Sequence, residues 1–216
     1  MTLALRETLS TALTLLIFSM VGAGLLSGAY TLTRPIIERS QQAEKLALVS
    51  QALPPASFDN DPIHDALVLP PTPQLGLKRP GLAYIARQHG RVTGVVLEAI
   101  APEGYAGEIR LLVGITADGH ISAVRVTAHR ETPGLGDYIE IARSAWINQF
   151  TGKSLSEPAD ALWKVRKDGG RFDYFAGATV TPRAIVKAVN RALHYFATHQ
   201  DTLLAPPAPP SGAVAP

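Results

Sequence analysis

From Thr8 to Thr33 the chain carries no charged side chain, and Leu9, Leu13, Leu15, Leu16, Ile17, Phe18, Met20, Val21, Leu25 and Leu26 dominate that stretch. As a helix it exceeds the roughly 20 residues that cross a hydrocarbon core, so residues 8–33 are read as a segment lying in a lipid bilayer. Gly22, Gly24, Ser27 and Gly28 lower its hydrophobicity but suit close helix packing in membranes. A cleaved secretory signal is the competing reading, with Arg6 as its basic end and Leu26-Ser27-Gly28-Ala29 as a cleavage site. The length of the uncharged span favours a retained anchor. Local charge sets Arg6 on one side against Arg34, Arg39 and Lys45 on the other, which by the positive-inside count places the large domain in the cytoplasm.

Behind the anchor, Ile37, Ala43, Leu46, Val49 and Leu53 share a helical stripe that predicts a stalk helix over 36–53, ending at Pro54-Pro55. Seven prolines between 54 and 80 predict an irregular connection. Alternating apolar residues then predict strands over Leu82–His89, Val92–Ile100, Ile109–Thr116 and Ile121–Thr127. Asp118-Gly119 reads as a type I′ hairpin turn. Ile139, Ala142, Trp146, Ile147 and Phe150 predict an amphipathic helix over Tyr138–Phe150, and Ile185, Val186, Val189, Leu193 and Phe196 another over Pro182–His199. Thr181 is its expected N-cap, with Pro182 at the first helical position.

The fold class is therefore α+β: one N-terminal transmembrane helix, then a domain with an antiparallel sheet and packed helices. Residues 1–33 form the tail and anchor, 34–80 the stalk helix and Pro-rich connection, 81–200 the folded domain, and 201–216 a disordered Ala/Pro tail.

Composition narrows the chemistry. With no cysteine there is no disulfide, thiolate metal site or thiol nucleophile. The net charge is only +2 and no basic run alternates with aromatics, so nucleic-acid binding is not expected. The histidines show no metal-ligand spacing, and no nucleophile–base pair emerges; no catalytic or metal site is expected.

The informative run is Phe172-Asp173-Tyr174-Phe175-Ala176-Gly177-Ala178-Thr179-Val180-Thr181-Pro182-Arg183, a small-residue loop opening into a helix start. Unpaired N–H groups and the helix dipole favour a bound anion such as phosphate there, and Arg183 adds charge. An ordinary capped helix start explains the same residues.

This run resembles the flavinylation motif of FMN-binding domains, Asp-x-x-Ser/Thr-Gly-Ala-Thr, with Ala176 standing where the family commonly has Ser or Thr. Ala101–Gly107, Ile109–Gly114, His129-Arg130-Glu131-Thr132-Pro133-Gly134-Leu135-Gly136-Asp137, Trp146-Ile147-x-Gln149-Phe150 and Trp163-Lys164-Val165 together resemble the RnfG (RsxG) family, the FMN-bearing component of the Rnf electron transport complex. The resemblance implies an FMN-binding domain over 81–200, with FMN joined covalently through its phosphate to Thr179 by a flavin transferase that uses FAD and a divalent metal. It implies flavin contacts from Asp173, Gly177, Ala178, Glu131, Thr132, Gly134, Leu135 and Gly136. Backbone amides at the start of the helix after Gly136 are the expected donors to a flavin oxygen. Asp137 is equally an N-cap, and His129 a flavin neighbour or, more simply, a solvated strand-end histidine.

In function, it implies an electron-carrying subunit of an ion-translocating oxidoreductase, without independent catalysis, working between ferredoxin and NAD alongside other membrane and peripheral subunits. The resemblance also implies electron flow coupled to Na⁺ or H⁺ movement, with the subunit held once through a bacterial inner membrane and its FMN domain in the periplasm. That placement opposes the charge count. The alternatives are the NqrC-type FMN component of a sodium-pumping NADH:quinone reductase and a membrane-tethered flavin redox-sensing module outside any pump.

Overall fold

The computed structural model describes residues 2–53 and 58–206, in two compact units, Met1–Lys45 and Leu46–Pro216. Helix α1 (Thr2–Ala52) contains the apolar segment, and Pro35 lies inside it rather than separating anchor from stalk. Pro35 removes one ladder hydrogen bond, which a helix tolerates at the cost of a local bend. Among the described residues one helical stretch, Thr8–Pro35, is long and apolar enough to cross a membrane, with a mean hydropathy of 2.0. Three of its hydroxyls are satisfied within the helix: Thr14, Thr31 and Thr33 donate to the carbonyls of Ser10, Ser27 and Ala29 at 2.8–3.0 Å. That suits a surrounding without water.

In the second unit, β1 (Ala66–Leu69), β2 (Gly81–Gln88), β3 (Arg91–Gly104), β4 (Gly107–Thr116) and β5 (Ile121–Ala128) pair antiparallel in sequence order. The stretch read as an irregular connection thus supplies the edge strand, because β1 fits between Pro62 and Pro70 without either entering the ladder. The hairpin chemistry also differs. The type I′ turn is at His89-Gly90, where φ is 51° and 77°. At Asp118-Gly119 only the glycine has positive φ, and Thr116 N–H donates to the His120 carbonyl across a three-residue loop.

Helix α2 (Val180–Thr198) covers one face of the sheet, packing Ile185, Val189, Leu193 and Phe196 against Leu97, Ile109, Leu111 and Val113. The short α3 (Gln200–Leu203) buries Leu203 in the same core, so the first residues read as a disordered tail are structured. Residues from 207 onward, and Pro54-Pro55, lie outside the described residues.

No helix spans 138–150. Two 3₁₀ segments, Asp137–Ile139 and Ala145–Phe150, are separated by Glu140 and Ser144 in extended conformation. Ser144 caps the second by accepting the Trp146 N–H at 3.0 Å. A hydroxyl that satisfies the backbone locally competes with a continuous helix. Trp146, Phe150, Trp163 and Phe172 pack together in the core, Phe150 stacked on Phe172 and Trp146 edge-on to Phe150.

The other sheet face receives the end of α1: Val49, Ala52 and Leu53 pack on Tyr84, Ala86, Val96 and Leu112. The Ala52 carbonyl, left over at the helix end, accepts a hydrogen bond from the Ser122 hydroxyl. A Cβ on Gly114 would stand 1.9 Å from that carbonyl oxygen. Gly114→Ala is therefore expected to destabilise the full chain by about 1–3 kcal/mol, read as a lower urea midpoint in detergent micelles. An unchanged midpoint would show that the helix end does not sit on the sheet.

Candidate functional site

The motif begins under tight restraint. Asp173 N–H donates to Gln149 Oε1 at 2.7 Å, its carbonyl accepts from Trp146 Nε1 at 2.8 Å, and its carboxylate pairs with Arg166 at 2.7 Å. From that pinned point the chain turns at Phe175–Ala178, closed by Ala178 N–H to the Phe175 carbonyl at 3.1 Å. Gly177 occupies the third position of this turn with φ 90°, as a type II turn requires. Tyr138 ties the turn down: its hydroxyl donates to the Ala178 carbonyl at 3.2 Å, and Phe175 stacks on its ring at 4.1 Å.

Helix α2 starts two residues earlier than its proline suggested. Thr179, not Thr181, is the N-cap residue, and its side chain makes no capping hydrogen bond. Pro182 falls third in the helix, where its missing N–H again costs no ladder bond. Val180 and Thr181 carry the first-turn amides, which have no acceptor within the helix.

Thr181 is 1% exposed and its hydroxyl donates to Glu131 Oε2 at 2.6 Å. Glu131, 5% exposed, receives Ala106 N–H on Oε1 at 3.2 Å. Its own N–H donates to His129 Nδ1 at 3.0 Å, so His129 carries its proton on Nε2 and donates to Glu140 Oε1 at 2.6 Å. His129 is a largely buried bridge, not a solvated strand-end side chain. In the loop after Glu131, Gly134 N–H donates to Asp137 Oδ1, while the Leu135 and Gly136 amides donate to the Thr132 carbonyl. The Gly134, Leu135 and Gly136 amides are thus taken up within the loop, and a short 3₁₀ segment, Asp137–Ile139, follows in place of a full helix.

These pieces enclose a cleft of about 240 Å³. Of the residues read as flavin contacts, Glu131, Thr132, Leu135, Gly136, Gly177, Ala178 and Thr179 line it; Gly134 and Asp173 do not. Asp173 lies in a separate cavity with Arg166 and Arg171, and its contacts fix the start of the loop. Sequence reasoning passed over Tyr105 and Val180, which line the cleft at 72% and 43% exposure beside Leu135 at 48%. An exposed aromatic at a hairpin tip was the signal for Tyr105. Arg183 reaches the cleft with its guanidinium held two-pronged by Asp168, both contacts at 2.6 Å. That pairing keeps the Asp168 carboxyl below its ordinary range and Arg183 firmly protonated.

A glycine-turned loop meeting a helix N-terminus, with an arginine on one side and apolar side chains on the rim, suits a phosphate-bearing ligand with a flat ring. Residues 104–194 match the FMN-binding domain family, which defines the class of protein. Residues 1–52 match the RnfG N-terminal region. The G subunit of the ion-translocating oxidoreductase complex of Pseudomonas aeruginosa is 50% identical over 93% of this chain and 94% of its own length. The protein of the same description from Vibrio cholerae is 44% identical over 93% and 95%. This chain belongs to the RnfG family, the G subunits of ion-translocating oxidoreductase complexes. The crystal structure of Shewanella oneidensis NqrC aligns at 22% identity over 67% of this chain and 74% of that one, with a TM-score of 0.48.

Burial, with the nearby Glu131 charge, pushes the Tyr138 hydroxyl up to about 12, because ionising it would place an anion in the core. A folded-state value above the unfolded one of 10.0 means this stabilisation is complete below pH 10 and is lost as pH rises toward 12. Tyr138→Phe is expected to flatten that alkaline decline in a pH series of thermal unfolding. An identical slope in the variant would assign the decline to other groups.

Proposed function

We propose that this chain carries one FMN, joined through its phosphate to Thr179 Oγ1, and passes electrons as the G subunit of an ion-translocating oxidoreductase complex. The observation that carries the reading is Thr179 itself: a cleft-lining hydroxyl at a helix N-terminus, free of any capping bond. Val180 and Thr181 amides and Arg183 would hold the phosphate. Leu135, Val180 and Tyr105 would support the ring. FMN supplies the redox chemistry, while the protein positions it and limits its access to water. A phosphoester leaves the ring electronically unaltered and keeps the cofactor from being lost out of an open cleft.

The relatives' shared name supports a place among other membrane and peripheral subunits. Ferredoxin and NAD are assigned as the redox ends, and Na⁺ or H⁺ as the moved ion. The apolar segment supports a single crossing of the inner membrane. The FMN domain is assigned to the periplasm, with a flavin transferase attaching the cofactor there.

On a denaturing gel under ultraviolet light, the chain coexpressed with a flavin transferase should fluoresce. Thr179→Ala should abolish the band and Thr181→Ala should retain it; a dark wild-type band would sink the proposal. A reporter fused after His199 is expected to be active outside the cytoplasm, and activity confined to the cytoplasm would reverse the topology.

A further inference from the structure

Two threonines, Thr179 and Thr181, line the same cleft at the N-terminus of α2. As nucleophiles they are chemically equivalent, yet their surroundings differ sharply. Thr179 is half-buried and makes no capping bond. Thr181 is 1% exposed, and its hydroxyl is committed to Glu131 at 2.6 Å. The carboxylate is held at both oxygens. Its second oxygen accepts the Ala106 N–H, and two glycines lie against it where a side chain would crowd it. A Cβ on Gly136 would meet Oε2 at 2.8 Å, and one on Gly104 would meet Oε1 at 2.9 Å.

We infer that Glu131 is a specificity-determining positioning residue that withholds the Thr181 hydroxyl from flavin attachment and leaves Thr179 as the acceptor. This rests on the reading of Thr179 as the attachment site. In the transfer, with FAD as donor and a flavin transferase acting on it, the acceptor oxygen bonds to the flavin-side phosphorus. The bond from that phosphorus to the bridging oxygen breaks, AMP leaves with that oxygen, and the hydroxyl proton passes to solvent; nothing is oxidised or reduced. A hydroxyl donating to a carboxylate also has the form of a nucleophile on its base. Burial decides against that role for Thr181, since an incoming pyrophosphate needs open space at the attacking oxygen. Freeing the hydroxyl would also strip one of two donors from a buried carboxylate, a costly loss for a charge-assisted bond.

The test maps FMN on the full chain coexpressed with a flavin transferase, by fragmentation mass spectrometry of the peptide spanning Phe172–Arg183. In Thr179→Ala, with Glu131 intact, Thr181 should stay unmodified; FMN on Thr181 in that variant overturns the inference. Adding Glu131→Gln leaves one acceptor oxygen for two donors, and FMN on Thr181 should rise about tenfold or more. Glu131→Asp in the same background keeps the charge but draws it back, and serves where the glutamine variant does not fold. No FMN on Thr181 in a folded double variant overturns the inference while leaving Thr179 as acceptor. A wild-type chain without FMN would instead sink the Thr179 reading. A merely structural Glu131 would lower total FMN without moving it between threonines.

Discussion

A buried carboxylate must find donors, and Glu131 finds them on two elements far from it in sequence. The β3–β4 hairpin tip supplies the Ala106 amide, and the first turn of α2 supplies the Thr181 hydroxyl. The loop that carries Glu131 closes over it, with Gly136 packed where no side chain could fit. Three segments thereby meet at one point, and the cleft is the space they leave on the solvent side. That meeting point adds to the Tyr138 contact that holds the glycine turn and the sheet packing that holds the helix.

The sheet explains how such a site is held steady. Its central strands are covered on both faces, by α2 with the 3₁₀ segments on one side and by the last turns of α1 on the other. Strands enclosed this way read as nearly continuous apolar runs, as β3 does from Val95 to Leu97. The long α1 therefore has two environments along its length: exposed apolar side chains through Thr8–Pro35, and buried ones at Val49 and Ala52.

Much of this was legible from residue patterns, and the misreadings have physical causes. Period-two alternation located β2 to β5 because each strand turns one residue set into the core shared with α2 and the 3₁₀ segments. Strand β1 escaped notice because prolines flank it, although neither enters its ladder. Apolar spacing over 138–150 mimicked a helix because two 3₁₀ turns broken by Ser144 also bring Ile139, Trp146, Ile147 and Phe150 to one side. Pro182 suggested a helix start at its own position, but the third position tolerates proline equally well. Most of the cleft lining came from family resemblance, while the contacts by which Asp173 pins the loop, to Gln149, Trp146 and Arg166, carry no sequence signal. The partnership of Glu131 with Thr181 spans 50 positions, and no local pattern could announce it.

Tyr105, Leu135, Phe175 and Val180 stand open to water around Thr179. On a chain not yet carrying its cofactor they form an adhesive patch, of the kind that draws proteins into unwanted association. A tethered ring laid over them would remove that liability at the moment of maturation. Cofactor attachment would then act as a solubility checkpoint, separating finished subunits from unfinished ones by surface chemistry before either reaches an assembly partner.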